Sequence, residues 1–291
     1  MKSTEDRAIM SRYDFRKFGV KVIYTLMVLC IILISISMLY PFVNTFLNSL
    51  KSTKEFFAFP APFFPKVWLW KNYHESFTYL NIFLYFKNTV FIYLGNTIIS
   101  LTFLGMAAFS LAHLQVPMKK WITLYFLSTL LIPANTYLIP NFLNLKSLGL
   151  LNSYWAFWLP AGANAFFLLL LKNFFDSIHK ELLEAAKMDG ASDLKSFWSI
   201  AVPLSTPILI TLALLGFSTT WNDFYWSSLV MQEDMLPLAA AIYSKIIYAG
   251  STINWNIRFA ILTMTLIPPL LVFLFFQKYI IGGLSVGAVK G

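Results

Sequence analysis

Apolar runs about as long as a bilayer is thick recur along this chain, and no other feature limits its fold so severely. About six are readable, over residues 22–43, 88–112, 121–143, 154–171, 204–226 and 259–281. A hydrocarbon core of ~30 Å needs about 20 residues of helix to cross it. Peptide groups inside lipid find no water, so a spanning segment is either a helix or part of a closed barrel. The runs lack the period-two alternation of barrel strands, which leaves an all-α, polytopic membrane protein. Composition agrees. Hydrophobic residues make up 58% and charged residues 12%, with 29 Phe, 14 Tyr and 9 Trp, a balance foreign to ordinary soluble domains. The first run is longer than the apolar core of a secretory signal and ends in Tyr40-Pro41-Phe42. It is therefore expected to stay as a span.

The net charge of +9 does not point to nucleic acid, because the basic residues form no long cluster. They sort by side instead. Lys2, Arg7, Arg12, Arg16, Lys17 and Lys21 lie in the N-terminal tail, Lys119 and Lys120 follow the second run, and Lys172, Lys180, Lys187 and Lys195 follow the fourth. If the spans alternate, all three groups share one side, which the positive-inside rule makes cytoplasmic. The chain is thus expected to have a cytoplasmic tail 1–21, one transmembrane domain 22–281 and a cytoplasmic tail 282–291. Both termini are inside, and segments 44–87 and 227–258 are outside. In the first outer segment Pro60, Pro62 and Pro65 interrupt any helix, while Trp68, Trp70 and Tyr73 suit the membrane interface.

The charged loop 174–203 holds the most specific pattern. Glu184-Ala185-Ala186 is followed after three intervening residues by Gly190, after nine more by Ile200, and then by Val202-Pro203. Glu181 to Met188 are good helix formers. Two turns are marginal alone in water, so this helix needs something to pack on. Asp189-Gly190 ends it, with Gly suited to a left-handed cap, and Ser192-Asp193 can start the next helix. Phe197, Trp198 and Ile200 lead from there towards the membrane, with Pro203 and Pro207 near the start of the fifth run. The two alanines leave room for another protein to approach. A plain alanine-rich connector is the bland alternative, because Glu-Ala-Ala by itself arises constantly by chance. The full spacing, on a cytoplasmic loop before the penultimate span, is far more specific.

That spacing resembles the EAA loop of the permease subunits of binding-protein-dependent ABC importers, in particular the MalG-like carbohydrate-uptake family. The resemblance extends over most of the chain. It takes in Ser110-Leu111-Ala112, the stretch from Pro140 to Leu151, Asp189-Gly190-Ala191-Ser192, Trp221-Asn222-Asp223 and the closing Gly282 to Gly291. Departures are small: Val202 stands where the pattern usually has Leu, and His113 where relatives often have Arg. The resemblance implies a type I importer permease fold with the EAA loop as coupling helix, in a bacterial cytoplasmic membrane. It also implies a second homologous permease, two copies of an ATPase docking through Glu184, Ala185, Ala186, Asp189, Gly190, Ile200 and Pro203, an extracytoplasmic solute-binding protein, and a di- or oligosaccharide as cargo. ATP and Mg would be held by the ATPase. The chain itself has no G-x-x-x-x-G-K-[ST] loop, and no cofactor of its own is expected.

Nothing else suggests catalysis. His74, His113 and His179 are scattered, Cys30 is the lone cysteine, and neither a metal-ligand spacing nor a nucleophile elbow occurs. Polar residues at membrane depth are more informative, since they must pair or face a water-filled path. Asn96, Asn135 and Asn164, with Asn222 and Asp223 near the outer end of the fifth run, are the candidates for lining a pathway. Interhelical hydrogen bonding is the competing role for the asparagines. Pro133, Gly162 and Pro268-Pro269 mark expected bends. The reading is a carbohydrate-importer permease. Its rivals are a permease for a non-sugar solute and, from another class, an ion-coupled carrier, which would call for ionisable groups at mid-membrane or an inverted repeat.

The charge sorting predicts labelling by an impermeant thiol reagent. In a Cys30→Ala background, single cysteines replacing Lys66 or Glu233 should react on intact cells, and those replacing Lys120, Lys187 or Lys290 should not. Outside labelling at position 187 with the membrane intact would overturn the topology.

Overall fold

The computed structural model describes residues 18–248 and 253–288, with side chains described through Tyr279. The basic residues Lys2, Arg7, Arg12, Arg16, Lys17 and Lys290 lie outside the described residues. No strand occurs among the described residues. The helices in chain order are α1 (Phe18–Ser49), α2 (Thr53–Phe56), α3 (Lys71–Tyr79), α4 (Ile82–His113), α5 (Lys119–Thr129), α6 (Leu138–Ser147), α7 (Trp155–Ala161), α8 (Ala165–Phe175), α9 (Lys180–Met188), α10 (Asp193–Leu204), α11 (Thr206–Asn222), α12 (Tyr225–Val230), α13 (Leu238–Tyr248) and α14 (Trp255–Ala288).

Three helices, α1, α4 and α14, are long and apolar enough to cross a membrane unaided, and three bent pairs bring the number of candidate crossings to as many as six. Segment 119–147 bends by 97° between α5 and the turn Ala134–Tyr137, α7 and α8 meet at 42°, and α10 and α11 meet at 79°. The first two bends fall at Pro133 and Gly162, where helix hydrogen bonds are lost or the backbone is least restrained. The third falls at Ser205, between Pro203 and Pro207. Pro268 and Pro269 differ from expectation: they lie inside α14, which runs unbroken around them. A membrane helix can absorb two missing donors when neighbouring groups re-satisfy the freed carbonyls.

Two compact units divide the chain. The smaller joins residues up to Ser76 with Asn254–Thr265. Here α1 exposes nearly every side chain from Phe18 to Val43, an apolar surface that suits lipid and not water. Its C-terminal end is buried and hydrogen-bonded. The Asn72 amide donates to Ser49 O at 2.8 Å and Lys51 O at 3.0 Å, and Ser49 Oγ meets the Tyr73 hydroxyl at 2.7 Å. Ser52 and Glu55 form a capping box around α2. These bonds, led by that from the Ser52 N–H, hold the Glu55 carboxyl below its ordinary range. Phe56 stacks on Trp255 at 6.0 Å.

The larger unit, residues 77–253 with those after Thr265, has its core where α4 and α8 pack. Leu104, Ala108, Phe109, Leu168, Leu171 and Phe175 form that core with Leu183 of α9, Phe197 and Ala201 of α10, and Leu212 of α11. At the other end of α4, Asn88 Nδ2 donates to Asp234 O and Leu236 O, both at 3.0 Å, and Asn88 Oδ1 accepts from the Tyr154 hydroxyl. Thr89 Oγ1 accepts from the Leu238 N–H at 2.8 Å. One polar turn of α4 therefore ties down segment 234–238. Glu233 and Lys245 pair nearby, which lowers the pKa of the carboxyl and raises that of the amine.

Between these ends α4 and α7 touch closely at Gly95. A Cβ there would collide with the Trp158 indole, which Tyr154 stacks at 5.7 Å and Phe91 and Trp155 pack at 5.4 Å. Gly95→Val should therefore lower the melting temperature of the detergent-solubilised protein, as overpacking by ~1–3 kcal/mol does, and Trp158→Leu in the same chain should restore part of the loss. An unchanged melting temperature for Gly95→Val would refute the close contact.

Candidate functional site

The loop residues singled out by spacing form a helix, a turn and a second helix. Helix α9 ends at the Asp189 C-cap, and Gly190 follows at φ +80°. The Gly190 N–H donates to Lys187 O at 3.0 Å and the Ala191 N–H to Ala186 O at 2.9 Å. This pair of bonds is a Schellman motif, which satisfies the last carbonyls of α9 and requires a left-handed residue. Ser192 then caps α10, its Oγ accepting from the Lys195 N–H at 3.3 Å. An ion pair between Lys187 and Asp193 at 2.8 Å closes the turn.

Helix α9 finds the packing it needs through one side chain. Leu183 is 5% exposed and joins the core of α4 and α8. Phe197 does the same for α10, with ring centroids 5.6 Å from Phe109 and 6.3 Å from Phe175. The approach is close enough that a Cβ on Gly105 would sit 3.2 Å from Phe197 Cζ. The opposite face of the loop is open. Glu184, Ala185, Asp189 and Gly190 are exposed, and so are Leu182 and Leu194, while Met188 is 90% exposed. Ala186 is half-buried, Ile200 packs against the core and Pro203 is exposed. A small cavity of about 110 Å³ lies beneath α9, lined by Phe109, His113, Leu183 and Ser196 among others. There His113 Nε2 bonds Phe175 O at 2.8 Å, and the buried Ser196 Oγ and His113 Nδ1 have no hydrogen-bond partner.

The second site is a cavity of about 880 Å³ walled by α4, α5, α6, α7, α8 and α11. Asn96, Asn164 and Asp223 line it; Asn135 and Asn222 do not. The roles of these asparagines separate. Asn96 Nδ2 reaches Thr220 Oγ1 across to α11 at 3.4 Å, while its buried Oδ1 has no partner. Asn164 Oδ1 caps α8 by accepting from the Phe167 N–H at 3.0 Å, so it secures the Gly162 bend. Asn222 Nδ2 turns back to Ser218 O in its own helix, and Asn135 lies exposed in the turn after Pro133. Asp223 Oδ2 accepts from Ser227 Oγ at 2.7 Å and Oδ1 from the Trp226 N–H at 3.1 Å.

Several lining residues were not read from the sequence. Asn141 and Asn144 of α6 are one turn apart, so they share a helix face, and that spacing was a usable signal. Gly216, Thr219 and Thr220 of α11 line the cavity too, at helical intervals that single polar residues in an apolar run do not reveal. Such a chamber, apolar with a few fixed amides and hydroxyls, suits a small polar solute. It offers no arrangement for bond making.

The family described as "Binding-protein-dependent transport system inner membrane component" matches residues 8–286. The chain is 32% identical over 241 residues to Protein LplC of Bacillus subtilis (strain 168), covering 78% of this chain and 81% of LplC. It is 30% identical over 256 residues to the arabinooligosaccharides transport system permease protein AraQ of Halalkalibacterium halodurans, covering 87% and 91% of the two chains. In fold it is similar to a chain in the crystal structure of a bacterial ABC transporter involved in the import of the acidic polysaccharide alginate, with TM-score 0.82 over 94% of this chain and 99% of that one, at 24% identity. Together with the membrane helices, these matches establish that the chain belongs to the family of inner membrane components of binding-protein-dependent transport systems, as a permease subunit of an ABC importer and not an enzyme.

Proposed function

We propose that the chain forms one half of the pathway of an ATP-driven carbohydrate importer and couples that pathway to a soluble ATPase through α9. The cargo is a di- or oligosaccharide, a reading supported by the name of AraQ, which gives arabinooligosaccharides for its own system. A second, homologous permease completes the pathway, an extracytoplasmic binding protein delivers the sugar, and two ATPase copies hold ATP and Mg on the cytoplasmic side. Both termini of this chain are cytoplasmic.

One observation carries the coupling role. A helix of two turns touches the core through Leu183 and presents an exposed opposite face with Leu182, Met188 and Leu194. A partner with an apolar groove fits that face. When ATP draws the ATPase subunits together, a force on α9 reaches α4 and α8 through Leu183, and reaches α11 through Phe197 and the Ser205 bend. Interlocked rings and leucines pass such a displacement on, because packed interiors resist compression. Ala185 and Ala186 keep the approach close, and Glu184 and Asp189 stand where charge-assisted bonds to the ATPase form.

Gly190→Val forces a β-branched residue into the left-handed turn, and Ala186→Arg blocks the approach. Each variant should insert and pair with the second permease yet lose ATP-driven uptake by about tenfold or more, the effect of removing ~1.4 kcal/mol of docking energy. Ala185→Cys should crosslink to a cysteine in the ATPase groove with a yield that changes when ATP binds. Full transport by both bulky variants, with no crosslink in any nucleotide state, would sink the coupling role. Uptake by the reconstituted complex should also require ATP. Uptake that persists without ATP and collapses with the ion gradient would favour the secondary carrier instead.

A further inference from the structure

The large cavity has a polar wall nearly free of charged groups. Its polar wall consists of amides and hydroxyls, with Asn96, Asn141, Asn144, Asn164 and Thr219 among them. Tyr125, Tyr137, Phe157 and Trp226 are in the lining as well. Asp223 is the single charged residue in the lining, and no Lys, Arg or His is among the described residues that form it.

Asp223 also lacks a counter-charge. Its oxygens accept from the Ser227 hydroxyl and the Trp226 N–H, and no ion pair to it occurs among the described residues. Ser227 is fully buried, so the carboxylate is held in place and cannot swing away. It stands at the C-cap of α11, where the helix dipole is negative as well. The bonds from Trp226 and Ser227 explain why the carboxylate is oriented as it is, but do not cancel its field in the cavity.

We infer that Asp223 makes this half-pathway selective against anions, so that the cargo is a neutral oligosaccharide and not a uronate or sugar phosphate. The inference rests on the reading of the cavity as the solute path and deepens it. An anion entering would leave water for a chamber with no cation to replace the lost hydration, against a fixed charge of its own sign. A neutral sugar meets hydroxyls, amides and ring faces that satisfy it. At roughly 10 Å in a medium of effective dielectric ~20, one such charge shifts the local balance between anions and cations by at least about tenfold.

The test reads this field directly and needs no transported sugar. Gly216 lines the cavity two helical turns before Asp223 on the same face, and a Cβ there meets nothing within 4 Å. Gly216→Cys in a Cys30→Ala chain, assembled in the full complex, is reacted with trimethylammonium-ethyl and sulfonato-ethyl methanethiosulfonates. Each rate is divided by that for a small free thiol, with labelling followed by the mass of this chain. The cationic reagent should be favoured about tenfold or more. Asp223→Asn should bring the ratio close to one, while Asp223→Glu should keep it. A ratio that Asp223→Asn leaves unchanged, or a faster anionic reagent, overturns the inference. ATP-dependent uptake of trigalacturonate at the rate of a neutral trisaccharide such as cellotriose would overturn it too, with the importer reading intact. If the complex instead takes up no oligosaccharide with ATP, the carbohydrate reading fails, and the reagent ratio still decides the charge of the path.

Discussion

The packing of Phe197 between Phe109 and Phe175 is the contact on which the working parts of this permease depend. Each aromatic pair contributes about 0.5–1.5 kcal/mol beyond the area it buries. Position matters more than that sum. Phe197 stands one turn into α10, Phe109 near the C-terminal end of α4 and Phe175 at the end of α8. One ring therefore joins the loop to two helices that wall the cavity. Gly105 keeps the space for it, and Leu183 adds a second anchor from α9. Without these two contacts the short helix would have no hold on the rest, since two turns do not persist alone.

The cavity depends on a different economy, that of backbone hydrogen bonds. Irregular chain is tolerated at membrane depth only where it borders a polar space or finds partners in protein. The bend at Gly162 meets that condition locally: Asn164 caps the helix after it, and Ser100 Oγ bonds Ala161 O at 2.9 Å just before it. A widened turn over Ser100–Leu104 lets α4 place Ser100 and Leu101 on the wall, in keeping with the use of such bulges at functional sites. Bending thus opens the chamber, and its polar lining is also what makes the bends affordable.

The coupling loop was legible in the sequence almost residue by residue. Helix formers up to Met188, a left-handed Gly190 and a capping Ser192 are local matters, decided by propensity and by which residue tolerates a positive φ. The cavity was legible only in part. Asn96 and Asn164 stood out as polar residues in apolar runs, but so did Asn135 and Asn222, which face elsewhere. One sequence cannot tell a wall residue from its neighbour a third of a turn away, because both interrupt the same apolar run. Leu183 and Phe197 were equally hidden in their roles, as their meaning lies in partners more than ten residues distant.

The sequence by itself determined that this is an all-helical membrane chain with a capped, two-helix loop, because the cost of unpaired peptide groups in lipid and the geometry of turns are short-range constraints. Tertiary structure alone decided the rest: which polar residues meet around one space, which bends survive, and which side chain of α9 is anchored. Pro133 bends its segment by 97° while Pro268 and Pro269 sit within an unbroken helix. Proline removes the same donor in every case, and what differs is whether the surrounding helices re-satisfy the freed carbonyls or leave the chain free to turn.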